Sequence, residues 1–414
     1  MRSIRTHAVA RAAGLAAALF LWLAPAAALA QKEIVVWHAY RGEEKAALEE
    51  VVARYNAANA SKGVKVATLA VPYDAFADRI TAAVPRGKGP DLFIYAQDRL
   101  GGWIEAGNTI EPVDFYLDQP TRDRFLPTTL QAMTYQGNVY GLPLNFKVIT
   151  MIYNKKLVTK PPTTSAELVA TAKKLTNAKA GRFGLAYSYS DFYYHAILMN
   201  GYGGGVFDAQ RKPTLNSPAN VKSFQLLMKW FTTDRILPAE PSTALITSLF
   251  NDGKAAIVFS GPWFLGEVSK GVNYGLAPLP TLTESAGAPM RPWMTVEGVF
   301  VAAPSKNKEA AYDVARFLTD TPAAKTMALR GRQTPSNLKV YDDPQVSADP
   351  VLKAFRKQVE VAIPMPNLAE MTLVWSPATT AMNTIVKKSA TIQAALDEAQ
   401  ANVAAGIQRL RGGK

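Results

Sequence analysis

A carboxylate beside a guanidinium at the end of a buried strand is the arrangement in this chain best suited to recognising a polar ligand. Residues 89–102, GPDLFIYAQDRLGG, open as a turn and continue through an apolar run, 91–96, of strand length and aromatic content. They stop abruptly at Gln97, Asp98 and Arg99. Ligands of open α/β sheets sit outside the carboxyl ends of the strands, so Asp98 and Arg99 are candidates for binding. The alternative is local: Asp98 as the N-cap of the following helix, with Arg99 as its surface partner.

Several aromatic residues stand beside turn residues rather than in regular apolar periods. Tyr95 ends the same run, YSYSDFYY at 187–194 carries Asp191 and Tyr193, Trp263 follows Gly261-Pro262, and Trp375 lies two residues before Pro377. Rings at strand ends in a cleft can stack on sugar faces while carboxylates and guanidinium take the hydroxyls. Core packing is the competing role for each ring taken alone.

Metal and acid–base chemistry have thinner support. Beyond residue 30 only His38 and His195 remain, far apart and without an HExxH or cysteine partner, so no metal site and no cofactor are expected. Glu43-Glu44 and Glu49-Glu50 fall on the polar side of a predicted helix, which reads as a solvated face. GYGGG at 201–205 reads as a loop needing positive φ rather than a phosphate cradle.

The elements that must hold these residues alternate. A strand is predicted over 33–37 and a helix over 43–56, with Leu48, Val51, Val52 and Tyr55 on one face. A second strand covers 64–71. Asp74 then caps a helix carrying Phe76, Ile80 and Val84 before the strand at 91–96. This βαβαβ order argues for a parallel sheet with right-handed crossovers. The extended text from 138 to 154 contains Pro143 and β-branched residues and predicts a passage between lobes; TVEGVFVAA at 295–303 predicts a return. Helices are expected at 220–232 and 310–318 and over much of the chain beyond 349, where Ala394, Leu396, Ala399 and Val403 form an apolar stripe.

Residues 1–30 read as a secretory signal: a basic start, an apolar core and an Ala28-Leu29-Ala30 cleavage signature. No cysteine follows to carry a lipid, and none occurs anywhere in the 414 residues, so the fold uses no disulfide. Removing the signal takes away Arg2, Arg5 and Arg11 and lowers the net charge from +13 to +10. The basic residues are dispersed, with one short cluster at Arg409, Arg411 and Lys414, which argues against nucleic acid as a partner.

From residue 34 onward the chain resembles the periplasmic maltose/maltodextrin-binding proteins, the solute-binding components of carbohydrate ABC transporters. The resemblance rests on GPDLFIYAQDRLGG, MIYNKKLV followed by PPTT, FNDGKAAIVFSGPW, VNYGLAPLP, and MPNLAEMTLVW leading to a final helix with ALDEAQ. It implies an α/β fold of two lobes with the ligand cleft between them: residues 31–146 and 299–321 in one lobe, 147–298 and 322–414 in the other. It implies a monomer that captures a carbohydrate in the periplasm and presents it to a membrane permease. Carried over residue by residue, the sugar-stacking rings fall on Tyr95, Tyr193, Trp263 and Trp375. The hydroxyl-binding pair falls on Asp98 and Arg99, which decides between cap and ligand in favour of ligand, and an acidic cleft residue falls on Asp191.

Two departures bear on the ligand. A glutamate position of the best-known maltose binder is Lys147 here, and the first βα loop offers Tyr40, Arg41 and Glu43 in place of an Asp-Lys pair. Lys147 inverts the local charge, so it either admits another sugar or a phosphorylated polyol, or it points to solvent or pairs with a neighbouring acid. Glu297, with Asp98 or Asp191, would supply the paired carboxylates of a carbohydrate-cleaving enzyme, a reading the motifs disfavour.

Overall fold

The computed structural model describes residues 32–412; the predicted signal segment lies outside them. Two sheets organise the chain. The larger has seven strands and is built around Lys32–His38, which pairs in parallel with Val64–Ala70 on one side and Leu92–Ala96 on the other. Helices Gly42–Ala58 and Tyr73–Ala83 make the intervening connections. Beyond Leu92–Ala96 the direction changes. Trp293–Val301 pairs antiparallel with it, and Gly141–Lys147 antiparallel with Trp293–Val301 in turn. The second sheet has four strands, in the order Tyr274–Ala277, Thr150–Asn154, Ala255–Ser260, Phe183–Ala186, and only the last two are parallel. Both sheets are therefore mixed rather than mainly parallel, because strands delivered by passages between lobes need not obey the crossover rule that governs βαβ units.

Each sheet has its own core. One apolar cluster joins Ile34, Val36, Phe93, Val296 and Phe300 to the inner face of Gly42–Ala58; a second gathers Ile149, Met151, Tyr187, Phe259 and Trp293 with Met382, Leu396 and Val403 of the two last helices, Trp375–Val386 and Ile392–Gly412. The expected passage is short: Gly141–Lys147 belongs to the larger sheet, Thr150–Asn154 to the smaller, and Val148 and Ile149 between them are fully buried. The return falls between Trp293, which packs in the second core, and Met294, in the first. A third strand at the junction, Thr334–Pro335, adds to the edge of the larger sheet beside Phe146 and Asn145. Trp293–Val301 and Thr334–Pro335 thus both pair within the larger sheet.

Two local readings change. Asp74 lies in the first turn of Tyr73–Ala83, whose N-cap is Pro72. In the final helix the buried positions are Ala395, Leu396, Ala399 and Val403, while Ala394 faces solvent.

Candidate functional site

The polar end of Leu92–Ala96 divides its labour. Gln97 is fully buried and structural: its Oε1 accepts from the backbone of Val296, and its amide donates to the carbonyl of Met365. Gly101 N–H donates to Asn367, so the segment leading to Trp375 is tied directly onto the Asp98–Arg99 turn. Asp98 caps nothing, since the following helix, Leu100–Ala106, has Arg99 at its N-cap without a side-chain bond. Its carboxylate instead meets the Arg99 guanidinium at 3.3 Å, and the guanidinium lies 6.0 Å from the Trp375 ring. Burial pushes the Asp98 carboxyl up to about 6, against the pull of Arg99. The buried Trp375 ring N–H faces the same carboxylate and, after Arg99, also draws its pKa down.

From Trp375 a row of rings crosses the second lobe. Trp293 is 5.8 Å from Trp375, Tyr193 is 6.1 Å from Trp293, and Trp263 is 6.1 Å from Tyr193. Hydrogen bonds fix their edges: Trp263 Nε1 donates to the Tyr194 hydroxyl at 3.2 Å, and the hydroxyls of Tyr193 and Thr295 lie 2.9 Å apart. Gly261 makes the Trp263 position accessible, because a Cβ there would stand 2.1 Å from the indole. Asp191 accepts from the Tyr193 backbone as the N-cap of Phe192–Gly201 and keeps its side chain at an exposed rim. Protein crowding along that rim, and then Asp74, push its carboxyl up to about 6 although its surface reaches water.

Tyr95, expected as a stacking ring, sits mostly within the packing of its own lobe. It is buried, with Phe76 5.1 Å away and nearly coplanar and Tyr73 stacked at 5.4 Å. Tyr73 is the ring presented to solvent, 55% exposed. Its hydroxyl nonetheless sits among cleft groups: withheld hydration, then Tyr95, Asp98 and Tyr193, raise its pKa well above the ordinary value. Position 73 carries no apolar period or strand end to mark it, and Trp293 reads in sequence as one more apolar strand residue.

The far end of the row holds a buried charge cluster. Lys147 Nζ lies 3.1 Å from Glu44 and 2.9 Å from Glu297. The Tyr40 hydroxyl donates to the other oxygen of Glu297 at 2.7 Å and accepts from Asn145, while Gln333 donates to Glu44 at 2.6 Å. Lys147 also faces the rings of Tyr40 and Trp263, at 5.1 and 5.9 Å. Pairing with neighbouring acids, the third possibility for Lys147, is what the structure shows. Glu44 leaves the solvated face assigned to it: it is 3% exposed, whereas Glu43, Glu49 and Glu50 are open to water. Two carboxylates share one ammonium, so burial raises the Glu44 pKa despite Lys147; for Lys147 the two acids outweigh burial and its pKa rises too. Arg41 turns away from this cluster to Glu267, at 2.6 Å.

Residues 39–325 match the profile of the bacterial extracellular solute-binding proteins. The chain belongs to that family. This solute-binding protein is 31% identical to the maltotriose-binding protein of Pyrococcus abyssi over 91% of its own length and 83% of the relative's. It is 29% identical to the galactooligosaccharide-binding protein of Bacillus subtilis, over 92% and 91%. Among solved structures, the maltose/maltodextrin-binding domain from Bdellovibrio bacteriovorus bound to maltotriose superposes with a TM-score of 0.84 at 26% identity, covering 91% of this chain and 100% of that one. The family is one of solute-binding components rather than enzymes. No helix among the described residues is long and apolar enough to cross a membrane.

Proposed function

We propose that this solute-binding protein captures a neutral maltooligosaccharide such as maltotriose between its lobes and delivers it, as a monomer, to an ABC permease. In this reading the signal is removed after Ala30 and the mature protein works in the periplasm. The observation that carries the proposal is the unbroken row Trp375, Trp293, Tyr193, Trp263, with Asp98 and Arg99 at one end. Sugar rings stack on Trp375 and Trp263, the Asp98–Arg99 pair and Asp191 take hydroxyls, and Tyr73 covers from the first lobe in place of Tyr95.

Lys147 supports a neutral ligand over a phosphorylated polyol. A phosphate would enter a cluster in which two carboxylates already surround the single ammonium. Glu297 also makes a poor catalytic carboxylate, because Lys147 occupies one of its oxygens and Tyr40 the other. Galactooligosaccharide is the second reading, favoured by the Bacillus subtilis relative, whose match covers nine-tenths of both chains.

A calorimetric titration of residues 31–414 against maltotriose, a galactotriose and glycerol 3-phosphate tests this. Saturable binding of maltotriose is expected, weakened about ten- to hundred-fold by Trp263→Ala or Trp375→Ala through loss of buried ring contact. Binding of galactotriose alone would transfer the proposal to that sugar. Response only to glycerol 3-phosphate would refute the neutral-ligand reading.

A further inference from the structure

Arg41 and Glu267 belong to different lobes, and their ion pair is a contact that no sugar mediates. Arg41 precedes the helix Gly42–Ala58 of the larger lobe, and Glu267 follows the short helix Pro262–Leu265 that carries Trp263. The surrounding backbones also meet: Gly42 has a positive φ of 51°, and a Cβ on it would stand 3.2 Å from the carbonyl oxygen of Gly266. Glycine suits both that conformation and that approach, where a Cβ would press on the Gly266 carbonyl. Glu267 is held ready within its own lobe, since its second carboxylate oxygen accepts from Thr247 at 3.1 Å and its carbonyl accepts from Asn251. The Arg41 side chain is half exposed, so it gives up little hydration to reach across.

We infer that Arg41 and Glu267 form a clasp that holds the lobes together at the Trp263 end of the cleft, with or without sugar, and so slows the release of bound ligand. This rests on the reading of the cleft as a sugar site whose lobes open. An acceptor anchored on one lobe and a free guanidinium on the other lose less conformational entropy on pairing than two mobile chains do. Because the pair exists only where the lobes touch, it biases the open–closed balance without adding to the stability of either lobe. Neither residue needs to contact the ligand. Arg41 thereby acts as a positioning residue, not as the hydroxyl ligand its place in the first βα loop suggests.

The absence of cysteine permits a direct test. Lys65→Cys and Lys222→Cys place spin labels at exposed sites on the two lobes, and pulsed dipolar spectroscopy reads the closed-to-open ratio without ligand. Arg41→Gln and Glu267→Gln are each expected to lower that ratio by about two- to five-fold, the range of a solvent-exposed ion pair. The double variant should fall no further than either single one, and raising salt should lower the ratio in the parent but not in the variants. Stopped-flow release of maltotriose should quicken by the same factor while the thermal midpoint without ligand stays put. An unchanged ratio, additive single effects, or equal salt responses in parent and variants would overturn the clasp. If no sugar moves the distance distribution, the cleft reading fails, and the ligand-free comparison of parent and variants still decides the clasp.

Discussion

Replacing Lys147 by methionine separates the buried charge cluster into its parts. Methionine keeps most of the side-chain volume but leaves Glu44 and Glu297, 3% and 7% exposed, with no cation between them. Removing one partner of a buried ion pair costs about 3–5 kcal/mol, because the surviving charge loses both its counterion and its water. The sign with pH follows from the carboxylates. Burial already raises the Glu44 carboxyl against the pull of Lys147, and without the ammonium it rises further above the unfolded value of about 4.3, so the variant keeps its stability below that pH and loses it as pH rises through the folded value. In the parent, Lys147 has a raised pKa, so its stabilising contribution persists to about pH 10. Urea unfolding of parent and Lys147→Met at pH 4.5 and pH 8 should therefore show a small gap at the lower pH and one of about 3–5 kcal/mol at the higher. Adding Glu44→Gln to Lys147→Met removes one uncompensated charge and should recover more than half of the gap at pH 8. A gap that does not change with pH, or a double variant no better than the single, would refute the assignment of a shared buried cation.

Asp98→Asn should stabilise the ligand-free protein by about 1–3 kcal/mol at pH 7.5 and by nearly nothing at pH 4, since a carboxyl raised to about 6 penalises folding only once it ionises. The same change should weaken maltotriose binding, and the parent's affinity should itself fall as pH drops below 6; calorimetry over pH 5–8 checks both. Gly261→Ala should displace the Trp263 ring that its Cβ would strike, visible as a shifted tryptophan emission and an affinity loss matching Trp263→Ala, with far-ultraviolet dichroism unchanged. Tyr73→Ala should lower affinity by about three- to ten-fold with little effect on the unfolding midpoint, whereas Tyr95→Ala, a core truncation, should cost about 3 kcal/mol or more in stability.

Regular elements were the readable part of the chain. The strand reading at 295–303 was available because a segment buried on both faces is largely apolar, even with Thr295 and Glu297 inside it, and the helix at 42–58 because its inward face repeats every three to four residues. Asp98 and Arg99 could be found because they interrupt such a run. Glu44 could not. It differs from Glu43 by one position, and what buries it is an ammonium 103 residues away and an amide 289 residues away. The exposure of Tyr73 over Tyr95 was hidden for a related reason: which of two stacked rings is open to solvent depends on packing around Phe76 and not on the type of either residue. Strand direction was equally hidden, since an apolar run is the same text read up or down.

The place of Trp293–Val301 between Leu92–Ala96 and Gly141–Lys147 has a consequence for how the molecule is made. The larger sheet stays split into two parts until Trp293–Val301, made long after both of its neighbours, joins them. Its closure is a long-range pairing, which pays loop entropy before it gains contacts and is intrinsically slow. A nascent chain with that interval before its first lobe can lock remains unfolded longer, which is the form in which a polypeptide threads through a narrow translocation pore.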